Sequence, residues 1–155
     1  MSKTTEMDGL FPLPLESVWR LLSHHMDEER IREIHPSILS GRVIREGPIV
    51  VYEGLQFPRE KSASREVRIA GRRTTATFLY RIEPPRRFGY EMQLENGSMV
   101  QLDNAYSSAR GGTHVKTITE VSIKGLPNRV ATWVVARSLN RADREDLAYA
   151  RSKGL

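Results

Sequence analysis

Apolar positions along the chain change their spacing three times, and each change marks a different kind of element. Residues 3–11 are a short Thr-rich stretch suited to a first strand, stopped by Pro12 and Pro14. Leu15, Val18, Trp19 and Leu22 then fall at i, i+3, i+4 and i+7, the stripe of a short amphipathic helix. Pro14 sits in its first turn, where a missing N–H costs nothing. Asp27 is placed to cap a second short helix in which Ile31 and Ile34 share a face. His35-Pro36 ends it, because the residue before a proline avoids helical backbone angles.

From Ile38 to Lys124 the pattern alternates, with Gly, Pro and Asn at hairpin intervals, which predicts an antiparallel meander without a long crossover. Phe78, Tyr80 and Ile82 share one parity, as do Phe88, Tyr90, Met92 and Leu94, and then Val100, Leu102 and Tyr106. Val115, Val121 and Ile123 take the other. Opposed residues in a hairpin point to the same side, so turn chemistry can be tested against these parities. A two-residue Asn96-Gly97 turn would put the apolar residues of its two strands on opposite faces. A three-residue loop, Glu95-Asn96-Gly97 with Gly97 left-handed, opposes Met92 to Val100, Tyr90 to Leu102 and Phe88 to Asn104, and is the expected turn. A turn at Arg110-Gly111 opposes Val100 to Val121, and one at Gly71-Arg72 opposes Val67 to Ala76 and Arg65 to Phe78.

Pairing 48–57 with 61–69 around Pro58-Arg59-Glu60 opposes Ile49 to Ile69, Val51 to Val67, Glu53 to Arg65 and Leu55 to Ala63. Glu53 and Arg65 then share a mostly apolar face, where a matched pair is tolerated and a lone charge is not. This makes Glu53 the candidate catalytic residue, with Arg65 fixing its ionisation; a surface cross-strand salt bridge is the plainer reading. After Gly125-Leu126-Pro127 the helical period returns and lasts to about Ser152, a helix of roughly 26 residues and about 39 Å. Ala131, Val135, Leu139, Ala142 and Tyr149 form its apolar stripe. Trp133, Val130 and Val134 widen that arc, as if a loop or the first helices also pack there. Asp146 borders the stripe as a possible inward carboxylate, although Asp143 and Glu145 beside it suggest a solvated acidic tail.

Composition narrows the chemistry. A 155-residue chain with 39% hydrophobic residues supports a single domain over 1–155 without a staple. The absence of cysteine removes thiolate metal sites, disulfides and cysteine nucleophiles, and fits a reducing, cytoplasmic setting. No apolar run approaches the roughly 18 residues of a membrane span, so membrane insertion is not expected. The net charge is +5, but Arg72-Arg73 and Arg86-Arg87 lie at opposite ends of one strand, about 33 Å apart at strand rise. They cannot form one tight patch, and nucleic-acid binding is not expected. His24 with Glu28 and His25 with Glu29 are i, i+4 pairs, yet no HExxH is present, and these histidines, like His114, read as surface residues. No metal and no cofactor is expected. No GxSxG elbow, phosphate loop or dinucleotide fingerprint occurs either.

The order of elements and several local phrases resemble the START-related helix-grip superfamily, also called SRPBCC, which includes pollen-allergen-like proteins and polyketide cyclases. Phe11-Pro12-Leu13-Pro14-Leu15-Glu16-Ser17-Val18-Trp19 is similar to its strand-to-helix passage, and His35-Pro36 to its helix-to-strand exit. The run from Tyr80 through Pro84-Pro85 to Glu91 is similar to its strand–PP–strand junction, and Gly111-Gly112-Thr113-His114-Val115 to the start of its last strand. The resemblance implies an α+β helix-grip fold: a curved antiparallel sheet of seven or eight strands, two short helices after the first strand, and a long C-terminal helix packed on the sheet. The count depends on whether 48–70 is a hairpin or one bulged strand.

It also implies a cavity between sheet and helix for a hydrophobic or amphipathic small molecule. Phe78, Tyr80, Tyr90, Leu102, Asn104 and Tyr106 face the helix side by parity, with Val135 and Leu139 opposite, supplying apolar walls and a few polar handles. These residues are also what a closed core would contain. Three functional classes remain open: a carrier or sensor of a hydrophobic ligand, a polyketide cyclase/dehydratase-like enzyme with a cavity acid–base residue, and a protein-interaction module like the heat-shock-protein activators. The chain is expected to be a monomer or a homodimer.

Overall fold

The computed structural model describes residues 3–155. Strand β1 (Lys3–Phe11) leads into helices α1 (Leu15–His25) and α2 (Glu28–Ile34). Pro14 occupies the cap of α1, and the Asp27 carboxylate caps α2 by accepting from the backbone N–H of Glu29 at 2.9 Å and of Arg30 at 3.1 Å. Strands β2 (Ile38–Glu46), β3 (Ile49–Tyr52), β4 (Leu55–Pro58), β5 (Glu60–Ile69), β6 (Arg72–Glu83), β7 (Arg87–Leu94), β8 (Met99–Ala109) and β9 (Gly112–Ser122) follow. Helix α3 (Asn128–Lys153) runs 26 residues and ends at Gly154 in the left-handed region.

Seven strands form one antiparallel sheet in the order β1-β9-β8-β7-β6-β5-β2, and β3-β4 form a separate two-stranded ribbon. The expected loop at 95–97 is present: Gly97 has φ 87°, and Met92 opposes Val100, Tyr90 opposes Leu102 and Phe88 opposes Asn104. Val100 likewise opposes Val121. The β5–β6 turn differs. It lies at Ala70-Gly71, both with positive φ, so that Arg65 opposes Ala76 and Ala63 opposes Phe78. This register is two positions from the expected one and leaves every side chain on the same face, which is why parity did not distinguish them.

The larger correction concerns 48–70. Residues 49–58 fold back on themselves through Glu53-Gly54, both at positive φ, while β5 pairs with β2 and β6. The pairing of Glu53 with Arg65 does not exist. Glu53 is exposed at the ribbon's turn, and Arg65 is buried on the inner face of the main sheet.

The inner face carries two hydrophobic clusters. One joins α1, α2, the ribbon and the central strands around Trp19, which is fully buried and meets Tyr52, Phe57, Phe88 and Tyr106 edge-on at 5.3–6.5 Å. Its indole N–H donates to the Pro85 carbonyl at 2.9 Å. Tyr149 and Ala150 bring the end of α3 into this cluster. The other joins Val100 and Val121 to Ala131 and Val135 at the start of α3, with Met92, Ile123 and Leu139 against them. Helix α3 is therefore fixed near both ends. Trp133 belongs to neither: it is 58% exposed, and the Arg137 guanidinium lies 5.0 Å from its ring centroid.

Candidate functional site

Pleating places Tyr80, Tyr90 and Leu102 in one cross-strand row and Phe78, Met92 and Val100 in the next, all on the face beneath α3. Phe78, Tyr80, Leu102 and Val135 are buried, whereas Tyr90, Asn104, Tyr106 and Leu139 are only half-buried. A tyrosine on the inner face of a central strand would be sealed if a helix lay flat upon it. Tyr90 keeps partial solvent access on this face, while Leu139 from the middle of α3 packs with Met92 against the second cluster. The same face carries polar groups: Asn104 donates to the Tyr106 hydroxyl at 3.2 Å and accepts from Thr117 Oγ1 at 2.7 Å. Burial pushes the Tyr90 and Tyr106 hydroxyls well above the ordinary range, and the negative charge of Asp146 adds to it. On α3, Asp143 is exposed, and partial desolvation with the neighbouring Asp146 charge pushes its carboxyl up to about 6.

Two open grooves flank this interior. One, of about 330 Å³, lies between Ser37, the β5–β6 turn at Arg68 and Gly71, and Arg141 and Glu145 of α3. The other, of about 410 Å³, lies at Leu15, Ser108 and Gly111. Neither is lined by the inner-face aromatics.

Arg65 is partnered from a helix, not from the ribbon. Its Nε and Nη2 donate to the two oxygens of Glu28 at 3.0 and 2.9 Å, a bidentate pair, and Nη1 donates to the Tyr80 hydroxyl. Lys61 donates to Glu28 Oε1 at 3.0 Å and to the Met26 carbonyl at 2.7 Å. The Arg65 guanidinium also stacks over Phe78, 4.7 Å from its centroid. Two fully buried cations thus converge on one carboxylate. Gly41 makes room for it, since a Cβ there would lie 2.4 Å from Glu28 Oε2 and 2.9 Å from Arg65 Cγ. Lys61 shares the parity of Ala63, Arg65 and Val67, so a second cation on this apolar face was readable in the sequence. Its anchor, Glu28, is local to α2 and carried no such signal.

This network gives the fold an acid-labile contact. Burial raises the Glu28 carboxyl, but hydrogen bonds and charge from Arg65 and Lys61 outweigh it and hold the group below its ordinary value near 4.5. The folded state therefore binds fewer protons than the unfolded chain just below pH 4.5, and the group's contribution, complete above that pH, is lost as pH falls through the folded value. Urea unfolding of the natural chain and of Glu28→Gln is expected to show a gap in midpoint at pH 7 that narrows steadily towards pH 3.

A second polar cluster joins the helices. His25 Nε2 and His35 Nε2 lie 3.2 Å apart, and each is 3.0 Å from Asp146 Oδ1. His25 and His35 were expected at the surface, but α3 covers them, and His25 is 8% exposed. The i, i+4 pairs with Glu28 and Glu29 do not form: Glu28 holds Arg65, and His24 contacts Tyr149 at 2.8 Å. Asp146 points inward and Glu145 reaches His35, so the acidic tail is not simply solvated. The cluster is drawn from three helices, which is why sequence spacing did not expose it. Among the described residues no helix is long and apolar enough to cross a membrane.

No protein-family model matches the chain, and no curated protein matches it. Solved structures do. Ara h 8.0201 superposes with a TM-score of 0.70 at 17% identity, covering 98% of this chain and 99% of its own. The ZhuI aromatase/cyclase from Streptomyces sp. R1128 superposes with a TM-score of 0.68 at 14% identity, covering 99% and 93%. The di-domain aromatase/cyclase BexL superposes with a TM-score of 0.67 at 13% identity, and the match spans 97% of this chain and 49% of that one. At such identities the likeness speaks for architecture. With its seven-stranded sheet, paired short helices and terminal helix, this chain has the helix-grip fold.

Proposed function

We propose that the protein binds a hydrophobic or amphipathic small molecule between the inner face of the sheet and the middle of α3, as a carrier or sensor. The observation that supports this is the incomplete burial of Tyr90 on a central strand, with Asn104, Tyr106 and Leu139 in the same state. Apolar walls with a few hydrogen-bonding groups are the usual make-up of a small-molecule site. The occupant is a flat or chain-like molecule with a polar end, which Asn104, Thr117 and Tyr106 can orient.

Native mass spectrometry of gently purified protein tests the reading directly, since a retained small molecule would appear as a defined mass increment. A mutational test uses anilinonaphthalene sulfonate as the probe. Leu139→Trp fills the gap from the helix side and is expected to weaken probe binding at least tenfold with little change in melting temperature. Unchanged probe affinity in that variant would place binding elsewhere.

A second reading, a cyclase-like enzyme, draws on Asp143, an exposed carboxylate of α3 pushed up to about 6, which can exchange a proton near neutral pH. Two of the similar structures are aromatase/cyclases. In this reading Asn104, Tyr106 and Thr117 position a reactive chain, and the shape of the gap selects its folded form.

A further inference from the structure

We propose that His25, His35 and Asp146 form a binding site for a divalent first-row transition-metal ion. The inference is independent of the small-molecule reading and rests on which atoms face one another. His25 Nδ1 lies 3.0 Å from the Leu21 carbonyl, and His35 Nδ1 lies 3.0 Å from Glu145 Oε1. Neither oxygen can donate, so both Nδ1 atoms carry the proton. In the neutral rings, both Nε2 atoms are then bare lone pairs.

Those lone pairs converge with a carboxylate oxygen. The three donor atoms are separated by 3.0, 3.0 and 3.2 Å. Ligands about 2.1 Å from a metal, at right or tetrahedral angles, lie about 3.0–3.4 Å from one another. Asp146 Oδ1 is also buried without a hydrogen-bond donor of acceptable geometry. Three acceptors in mutual contact repel unless a cation lies between them. One proton on His35 Nε2 serves the edges that meet there and leaves the 3.0 Å edge between His25 Nε2 and Asp146 Oδ1 bare. Two protons would place adjacent buried imidazolium rings with their N–H groups aimed at each other.

The surroundings match a metal site. Both histidines donate their outer N–H to an oxygen acceptor, the arrangement that fixes ring orientation and raises ligand basicity around bound metals. Two imidazoles and a carboxylate suit zinc or ferrous iron, and three protein donors leave coordination positions open for water or an exogenous group. The donors come from α1, the end of α2 and α3, so the ion would tie the terminal helix to the first two.

The test uses the full, tag-free chain stripped with a chelator at pH 7.5 and titrated with Co²⁺, then with Zn²⁺ in competition. The expected result is one equivalent of Co²⁺ per chain with visible ligand-field absorption, displaced by Zn²⁺. Zn²⁺ should move the imidazole nitrogen resonances of His25 and His35 but not those of His114, a readout that needs no variant. Asp146→Asn and His35→Ala should each lower affinity at least a hundredfold, Glu145→Gln about tenfold, and His114→Ala should have no effect. The proposal is overturned if the natural chain takes up no stoichiometric metal, or if uptake leaves the His25 and His35 resonances unmoved.

Discussion

Glu28→Gln is expected to lower unfolding stability by about 3–5 kcal/mol at pH 7, because it leaves buried cations without their counter-charge. The side chains of Lys61 and Arg65 have no solvent exposure, and Glu28 is the carboxylate that both reach. Glutamine keeps the shape and one acceptor, so the loss isolates charge from packing. Lys61→Met is the informative contrast. It removes the surplus cation, leaves the bidentate Arg65–Glu28 pair intact, and should cost far less. Urea midpoints at constant slope would measure both. If the two variants lost similar stability, the asymmetry argued from the two cations would be wrong.

Trp19→Ala should be equally damaging, at about 3–5 kcal/mol, because it opens a large hole where α1, the β3–β4 ribbon and the sheet meet. For a chain of this length, that corresponds to a drop in melting temperature on the order of 10 °C. Trp19→Phe separates two contributions. It retains most of the aromatic contact but strands the Pro85 carbonyl that the indole N–H now satisfies, and should cost about 1–3 kcal/mol. A thermal melt in which the alanine variant matched the phenylalanine variant would mean that the ribbon collapses into the space.

The sequence was most legible where two independent signals agreed. At 95–97, alternation and the left-handed preference of Gly97 selected one loop, and the register followed. Alternation also put Phe78, Tyr80, Tyr90 and Leu102 on one face. At 70–71, alternation allows two registers, and the observed turn needs Ala70 at φ 51°, a conformation that alanine does not advertise. At 49–58, Glu53-Gly54 acts as a hairpin turn without the usual Asn or Asp, so two short strands were read as part of a longer one.

The polar clusters were harder to read for a different reason. Arg65 reads from its parity as a charge on an apolar face, but its partner comes from a helix far back in the chain, beyond the reach of strand-pairing rules. His25, His35 and Asp146 meet only because two short helices and the end of a long one converge. Neither a 3.6-residue period nor a two-residue period relates them. Asp146 on the border of the apolar stripe was the one clue to that meeting, and the charges on either side of it pointed the other way.

The edge position of β1 has a consequence for synthesis. Lys3 opposes Val121 on β9, the last strand of this sheet in chain order, so β1 leaves the ribosome long before its partner exists. The intervening hairpins can assemble in turn as they emerge, but the nascent leading strand must wait, unpaired, until the sheet is nearly finished. Completing that seam is a late, non-local event, since it joins strands far apart in the chain.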